Sequence, residues 1–96
     1  MSVVEPVVRI DNDEVRVSEY RFGPGDETGH HRHGYDYVVI PLTPGLLKLY
    51  GAGGETQAEL APGIAYFRKA GVEHNVINGG GAPLAFVEVE LKDHPG

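Results

Sequence analysis

The strongest constraint on this chain is its punctuation. Glycine (14) and proline (7) supply 21 of the 96 residues. They are spread so that apolar residues never recur at i, i+3, i+4, i+7 over ten uninterrupted positions, the spacing an amphipathic helix needs. What remains are short apolar runs: Val7–Ile10, Val15–Phe22, Tyr35–Ile40, Leu46–Tyr50, Thr56–Leu60, Ile64–Arg68, His74–Asn78 and Leu84–Leu91. Between them lie turn clusters such as Gly23-Pro24-Gly25-Asp26, Gly51-Ala52-Gly53-Gly54 and Ala61-Pro62-Gly63. In the last run Ala85, Val87, Val89 and Leu91 alternate with Phe86, Glu88 and Glu90, the period of a strand with two different faces. In the second run the apolar phase switches near Ser18, which predicts a bulge there. Short strands at about 8–12-residue spacing between Gly/Pro/Asp turns predict an all-β sandwich or barrel with little or no helix.

Length predicts a single domain spanning 1–96. A core this small gains from a partner subunit or a bound metal. Lys plus Arg is 8 and Asp plus Glu is 14, so the formal net charge is 8 − 14 = −6. That balance argues against nucleic acid or an anionic membrane as partner, since both select a basic footprint. The absence of cysteine excludes disulfides, thiolate metal sites, Fe–S clusters and cysteine nucleophiles. No apolar run approaches the ~20 residues of a membrane span, and Met1–Arg9 does not read as a signal peptide. The expectation is a cytoplasmic protein.

The chemistry concentrates in histidines: His30, His31 and His33 together, and His74 downstream. If His31–His33 is extended, those two imidazoles share one face and His30 and Arg32 point the other way. His74, in a strand-like context, supplies a third imidazole from a neighbouring strand. Three neutral imidazoles suit a divalent transition ion and leave coordination positions open. A solvated polar loop is the alternative at this point.

The flanking residues narrow the choice. Gly25, His31 and His33 resemble the first cupin motif, G-x5-H-x-H-x3,4-E-x6-G, with Gly45 one residue beyond its final glycine. Gly63, Gly71, His74 and Asn78 resemble the second, G-x5-P-x-G-x2-H-x3-N, with Lys69 in place of the proline. The resemblance spans Gly25 to Asn78. It implies a small cupin β-barrel (double-stranded β-helix or jelly roll) with His31, His33 and His74 as metal ligands, Fe(II) favoured and Zn, Ni, Mn or Cu alternatives. Where the family usually carries a glutamate ligand, this chain has Tyr37, so it resembles the three-histidine cupins. Losing a carboxylate leaves the ion less neutralised and favours an anionic or chelating substrate. Tyr37 is the catalytic candidate, as an outer-sphere hydrogen-bond donor rather than a phenolate ligand.

The resemblance implies a mononuclear metal oxygenase or dioxygenase acting on a small chelating or anionic compound. The alternatives are a non-catalytic binding or sensing module, a redox-neutral metal-dependent lyase or isomerase, and a metal-free structural barrel. Arg68 or Lys69 is a candidate for holding a substrate carboxylate. Gly25, Gly63 and Gly71 read as turn formers, Asn78 as structural, Glu73 as a poor partner for the adjacent His74, and Glu88 and Glu90 as solvent- or interface-facing. His94 lies in the tail with no role. Homodimerisation is expected through exposed edge strands, with Val3–Ile10 and the last strand as candidate edges.

Overall fold

The computed structural model describes residues 2–92. Nine strands account for its regular structure and no helix occurs among the described residues: β1 Val7–Asp11, β2 Val15–Phe22, β3 His31–Arg32, β4 Asp36–Pro41, β5 Gly45–Gly51, β6 Gly54–Leu60, β7 Tyr66–Arg68, β8 Glu73–Asn78 and β9 Leu84–Leu91. With no helix present, none is long and apolar enough to cross a membrane.

The strands form two antiparallel sheets, ordered β1-β2-β9-β4-β7 and β3-β8-β5-β6. Their inner faces close on one core of Phe22, Tyr37, Val39, Leu47, Leu60, Val76, Leu84 and Phe86. Period-2 patterning decides which side chains enter it: on β4 Tyr37, Val39 and Pro41 are buried while Asp36, Val38 and Ile40 face outward. Tyr20, Phe22 and Phe86 stack at centroid separations of 5.2–6.2 Å.

Three expectations are corrected. The β2–β9 register runs unbroken from Val15↔Leu91 to Phe22↔Leu84, so β2 carries no bulge at Ser18. The irregularity lies on β1, between Val8 and Ile10, opposite Ser18 and Val17. The phase switch in β2 instead reflects apolar residues on both faces of one regular strand. The last strand is not an edge either: β9 is paired on both sides, with β2 and with β4. A strand so paired has both rows of backbone groups satisfied. The run read as ending at Ile40 extends one residue further, because Pro41 is the final residue of β4.

The motif glycines behave as turn chemistry requires. Gly25, Gly63 and Gly71 hold φ of 80°, 77° and 94°, a region that disfavours a Cβ. Asn78 is 2% exposed. Its amide donates to the carbonyls of Gly23 (3.2 Å) and Ala82 (2.9 Å), and its Oδ1 accepts from the Gly80 N–H (3.0 Å). The Gly25 N–H donates to the Asn78 carbonyl at 3.1 Å. Asn78 thus ties the end of β8 to the turn that opens the first histidine segment.

Candidate metal centre

The three histidines predicted to converge do so. β3 pairs with β8 so that His31 sits directly opposite His74. The strand stops at Arg32, but His33 stays extended: its N–H donates to the Val72 carbonyl (2.9 Å) and its carbonyl accepts from the Gly71 N–H (2.8 Å). Those two bonds keep the His31/His33 alternation intact where the ladder has ended. His33 Nε2 lies 3.0 Å from His31 Nε2 and 3.1 Å from His74 Nε2.

Those separations test whether an ion fits. Metal–nitrogen bonds of ~2.1 Å at angles of ~90–95° place neighbouring nitrogens ~3.0–3.1 Å apart. The donor set is also in the right protonation form. His31 Nδ1 is 2.9 Å from the Gly29 carbonyl, which only accepts, so Nδ1 carries the proton and Nε2 turns its lone pair to the centre. Thr28 Oγ1, 3.2 Å from the same nitrogen, also accepts the Val76 N–H and so pins that edge of the ring to β8. Burial, reinforced by the neighbouring imidazoles, lowers the pKa of His33 and of His74 to about 4. The two rings are therefore neutral ligands above that pH. Convergent lone pairs about 3 Å apart repel one another unless a cation lies between them, so the residues fit a divalent ion.

Two inward residues of the five-stranded sheet complete the surroundings. Tyr37 is 3% exposed and lies flat on His33, with centroids 3.9 Å apart and planes at 18°. Burial, with Glu88 nearby, raises its phenol above the usual range. Tyr37 is thus a neutral hydroxyl group in the metal-free barrel. Glu88 overturns its sequence reading. It is not solvent- or interface-facing: it is 6% exposed, projects from β9 into the barrel and places Oε1 3.7 Å from His33 Nδ1. Burial, then Glu90, pushes its pKa up to about 7. The alternation in β9 put Glu88 on the same face as buried Phe86, and that signal was available in the sequence. Glu90, one strand repeat further out, reaches Arg16 at the rim at 3.9 Å.

His33, His74, Tyr37 and Glu88 line an open cavity of about 610 Å³, which also reaches Val39, Leu49, Tyr66, Phe86 and Arg68. The Arg68 guanidinium rests 4.5 Å over the Tyr66 ring and donates to its own strand at the Phe67 carbonyl (3.0 Å). Lys69 lies over the outward ring of Phe67 at 5.9 Å, away from the cavity. Of the two basic candidates, Arg68 is therefore the one at the site. Glu73 is exposed and its carboxylate pairs with His30 at 3.4 Å, so it does not orient His74. His94 lies outside the described residues.

A profile of the cupin domain matches residues 18–90. The chain belongs to the cupin family. This cupin is 60% identical over 87 residues to the "Beta-alanine degradation protein BauB" of Pseudomonas aeruginosa, a match covering 91% of this chain and 92% of that protein. It superposes on a crystal structure of a cupin domain from Bordetella pertussis with a TM-score of 0.92 and 49% identity, covering 96% of each chain. A double-stranded β-helix protein from Klebsiella pneumoniae shares the fold at a TM-score of 0.78 and 22% identity, covering 98% of this chain and 81% of that one.

Proposed function

We propose that this cupin is a mononuclear metal enzyme in which His31, His33 and His74 hold Fe(II) and the cavity admits a small carboxylate for oxygenation. The observation that carries the reading is the convergence of three Nε2 atoms at 3.0 and 3.1 Å beside an open cavity. Iron, when bound there, supplies the redox chemistry that activates dioxygen, and three imidazoles leave room for more than the protein's own ligands.

The chain's own residues supply the rest. The Arg68 guanidinium, 4.5 Å over the Tyr66 ring, keeps N–H donors free for a carboxylate. The neutral Tyr37 hydroxyl donates to an oxygen positioned near the ion. Leu49, Val39 and Phe86 exclude water from the reacting end. BauB is named for β-alanine degradation, and a short carboxylate of about that size suits a cavity lined by Arg68 and the histidines.

A second reading is favoured by Glu88. A carboxylate with a pKa of about 7 inside the cavity is poised to take and return a proton near neutral pH. Redox-neutral lyase or isomerase chemistry with Lewis-acid polarisation uses such a group, whereas a purely binding module has no need of one.

The test is metal content of tag-free protein purified without chelators, then oxygen uptake with Fe(II) and short amino, oxo and thiol carboxylates, with His74→Ala in parallel. About one equivalent of metal in the wild type, lost in the variant, with substrate-dependent oxygen uptake, supports the oxygenase. Anaerobic turnover without oxygen uptake supports the redox-neutral reading. No stoichiometric metal before or after reconstitution overturns both.

A further inference from the structure

The inward rows of the smaller sheet are filled with side chains except at one place, beside the histidines. Val76, Leu49 and Thr56 form one row across β8, β5 and β6, and Asn78, Leu47 and Ala58 form the next. The row that carries two of the imidazoles reads His31, His74, Gly51, Gly54 across β3, β8, β5 and β6. Packed sheets lie ~10 Å apart, and side chains from both inner faces fill the gap. Where this row ends in two glycines, one face contributes nothing. The cavity runs over that floor: Gly51 and Gly54 line it, as do Tyr37 and Arg68, register partners on the other sheet. Gly54 serves the hairpin, where its φ is 103°. Gly51 has no such requirement, since its φ is not positive. A Cβ on Gly51 would lie 4.0 Å from the Cβ of His74 and 3.0 Å from the Glu73 carbonyl oxygen, so a side chain there grows beside the His74 imidazole. Two buried polar groups also line this cavity without a partner. Tyr37 is 3% exposed and its hydroxyl makes no hydrogen bond among the described residues. Glu88 has His33 Nδ1 near it at 3.7 Å, beyond hydrogen-bond reach. Buried polar groups left open toward a cavity are satisfied by what enters it.

We infer that ligands reach the ion over Gly51, and that Gly51 sets how thick a group can lie against His74. The inference rests on the three-histidine centre proposed above and adds the residue that selects what enters it. The class of ligand follows from the walls. Its head passes between the Gly51 backbone and the Tyr37–Arg68 pair, so it is thin and accepts hydrogen bonds from a hydroxyl and a guanidinium, as a planar carboxylate does. Its remainder lies toward the hairpin, where a Cβ built on Gly53 or Gly54 meets nothing within 4 Å. The site therefore discriminates by thickness at the head and tolerates length beyond it. A second concavity touches His33 elsewhere, lined by Arg32, Gly34, Ala70 and Gly71. It reaches neither His31 nor His74, so it offers a ligand one imidazole and not the convergent set.

The experiment titrates acetate, hexanoate and pivalate into cobalt(II)-loaded wild type, Gly51→Ala and Gly51→Val, with the visible spectrum of the ion as readout. Hexanoate is long and thin; pivalate is thick at the head. Circular dichroism and cobalt stoichiometry accompany each variant, because the Glu73 carbonyl must give way to a new Cβ. Gly51→Ala should raise the ratio of pivalate to acetate dissociation constants at least ~10-fold and leave the ratio of hexanoate to acetate near that of wild type, since a methyl group added to a filled space is the classical overpacking change. Gly51→Val should weaken acetate itself at least ~10-fold while still holding one equivalent of cobalt. A second arm needs no variant: in zinc-loaded wild type, acetate should shift the amide resonances of Gly51, Ala52, Gly53 and Gly54 and leave those of Gly34, Ala70 and Gly71 in place. Folded, cobalt-loaded variants that bind all three acids as wild type does overturn the inference. So do shifts at Gly34, Ala70 and Gly71 in place of the hairpin, and so does metal-loaded wild type that binds none of the acids. A wild type that takes up neither metal overturns the metal centre and this inference with it, whereas normal uptake with any of the preceding results overturns this inference alone.

Discussion

Replacing Glu88 by glutamine should have opposite effects with and without metal. In the metal-free barrel the carboxylate is buried, and its pKa stands at about 7 against an ordinary 4.5. An unfolded chain ionises Glu88 near the ordinary value, while the folded chain resists until about 7. Stability therefore falls as pH rises through that window. At ~1.4 kcal/mol per pKa unit, the gap of about 2.5 units makes the ionised group cost about 3 kcal/mol at pH 8 and under ~1 kcal/mol at pH 5. Glu88→Gln keeps the shape and removes the charge. The EDTA-treated variant should thus melt roughly 12–24 °C above wild type at pH 8 and only a few degrees above it at pH 5, given ~4–8 °C per kcal/mol for a domain of this size. With metal the order reverses. His33 Nδ1, 3.7 Å from the carboxylate, then bears a proton that the charge can orient and stabilise, and losing such a partner typically weakens metal affinity by about 10–100-fold. Thermal melts at the two pH values and zinc competition against a chromophoric chelator measure both halves. A variant that is less stable than wild type at pH 8 by as much as at pH 5, with unchanged zinc affinity, refutes the reasoning. Glu88 would then be an ordinary satisfied polar residue.

Four further outcomes are expected. The metal-free protein should lose stability as pH falls from about 6.5 to about 4, because the unfolded state takes up protons that buried His33 and His74 refuse until the lower value; acid titration by circular dichroism follows it, and His33→Gln should flatten the curve. Asn78→Ala should cost about 2–4 kcal/mol in urea unfolding, since it strands the carbonyls of Gly23 and Ala82 and the Gly80 N–H at a buried junction. Gly45→Ala should cost about 1–3 kcal/mol, because its Cβ would lie 2.9 Å from Leu84 Cδ2 and 3.1 Å from Leu84 Cβ in the core. Arg68→Met should raise KM for a carboxylate substrate at least ~10-fold without weakening zinc binding, since the guanidinium lines the cavity and its positive charge, felt at His74, opposes a cation there; steady-state kinetics and the same zinc competition separate the two.

Much of this molecule was legible before any fold was known. The strands Val15–Phe22 and Leu84–Leu91 coincide with β2 and β9 residue for residue, because alternation bounded by turn residues is a local property of the chain. Gly25, Gly63 and Gly71 were legible as turns for the same local reason. The three converging histidines were legible because two short motifs each keep their internal spacing whatever the fold does between them. Other features depend on which strand lies beside which. Nothing in Leu84–Leu91 says that it runs between β2 and β4, so its role as an edge was misread. Glu88 was misplaced too: a carboxylate in an alternating strand is solvent-facing by default, although its alternation with Phe86 marks the same face, and the closure of the barrel over β9 takes it out of water. The apolar row Ile10–Val17–Val89–Val38–Phe67 is assembled from five separate segments by register alone. By itself, then, the sequence determined the class of fold, the turns and the three histidines, because those follow from residue type and short-range spacing. The tertiary structure alone decided that Glu88 and Tyr37 flank His33, that Arg68 and not Lys69 faces the cavity, and that one outer face is apolar, because each of those is a relation between strands that the chain's linear order does not contain.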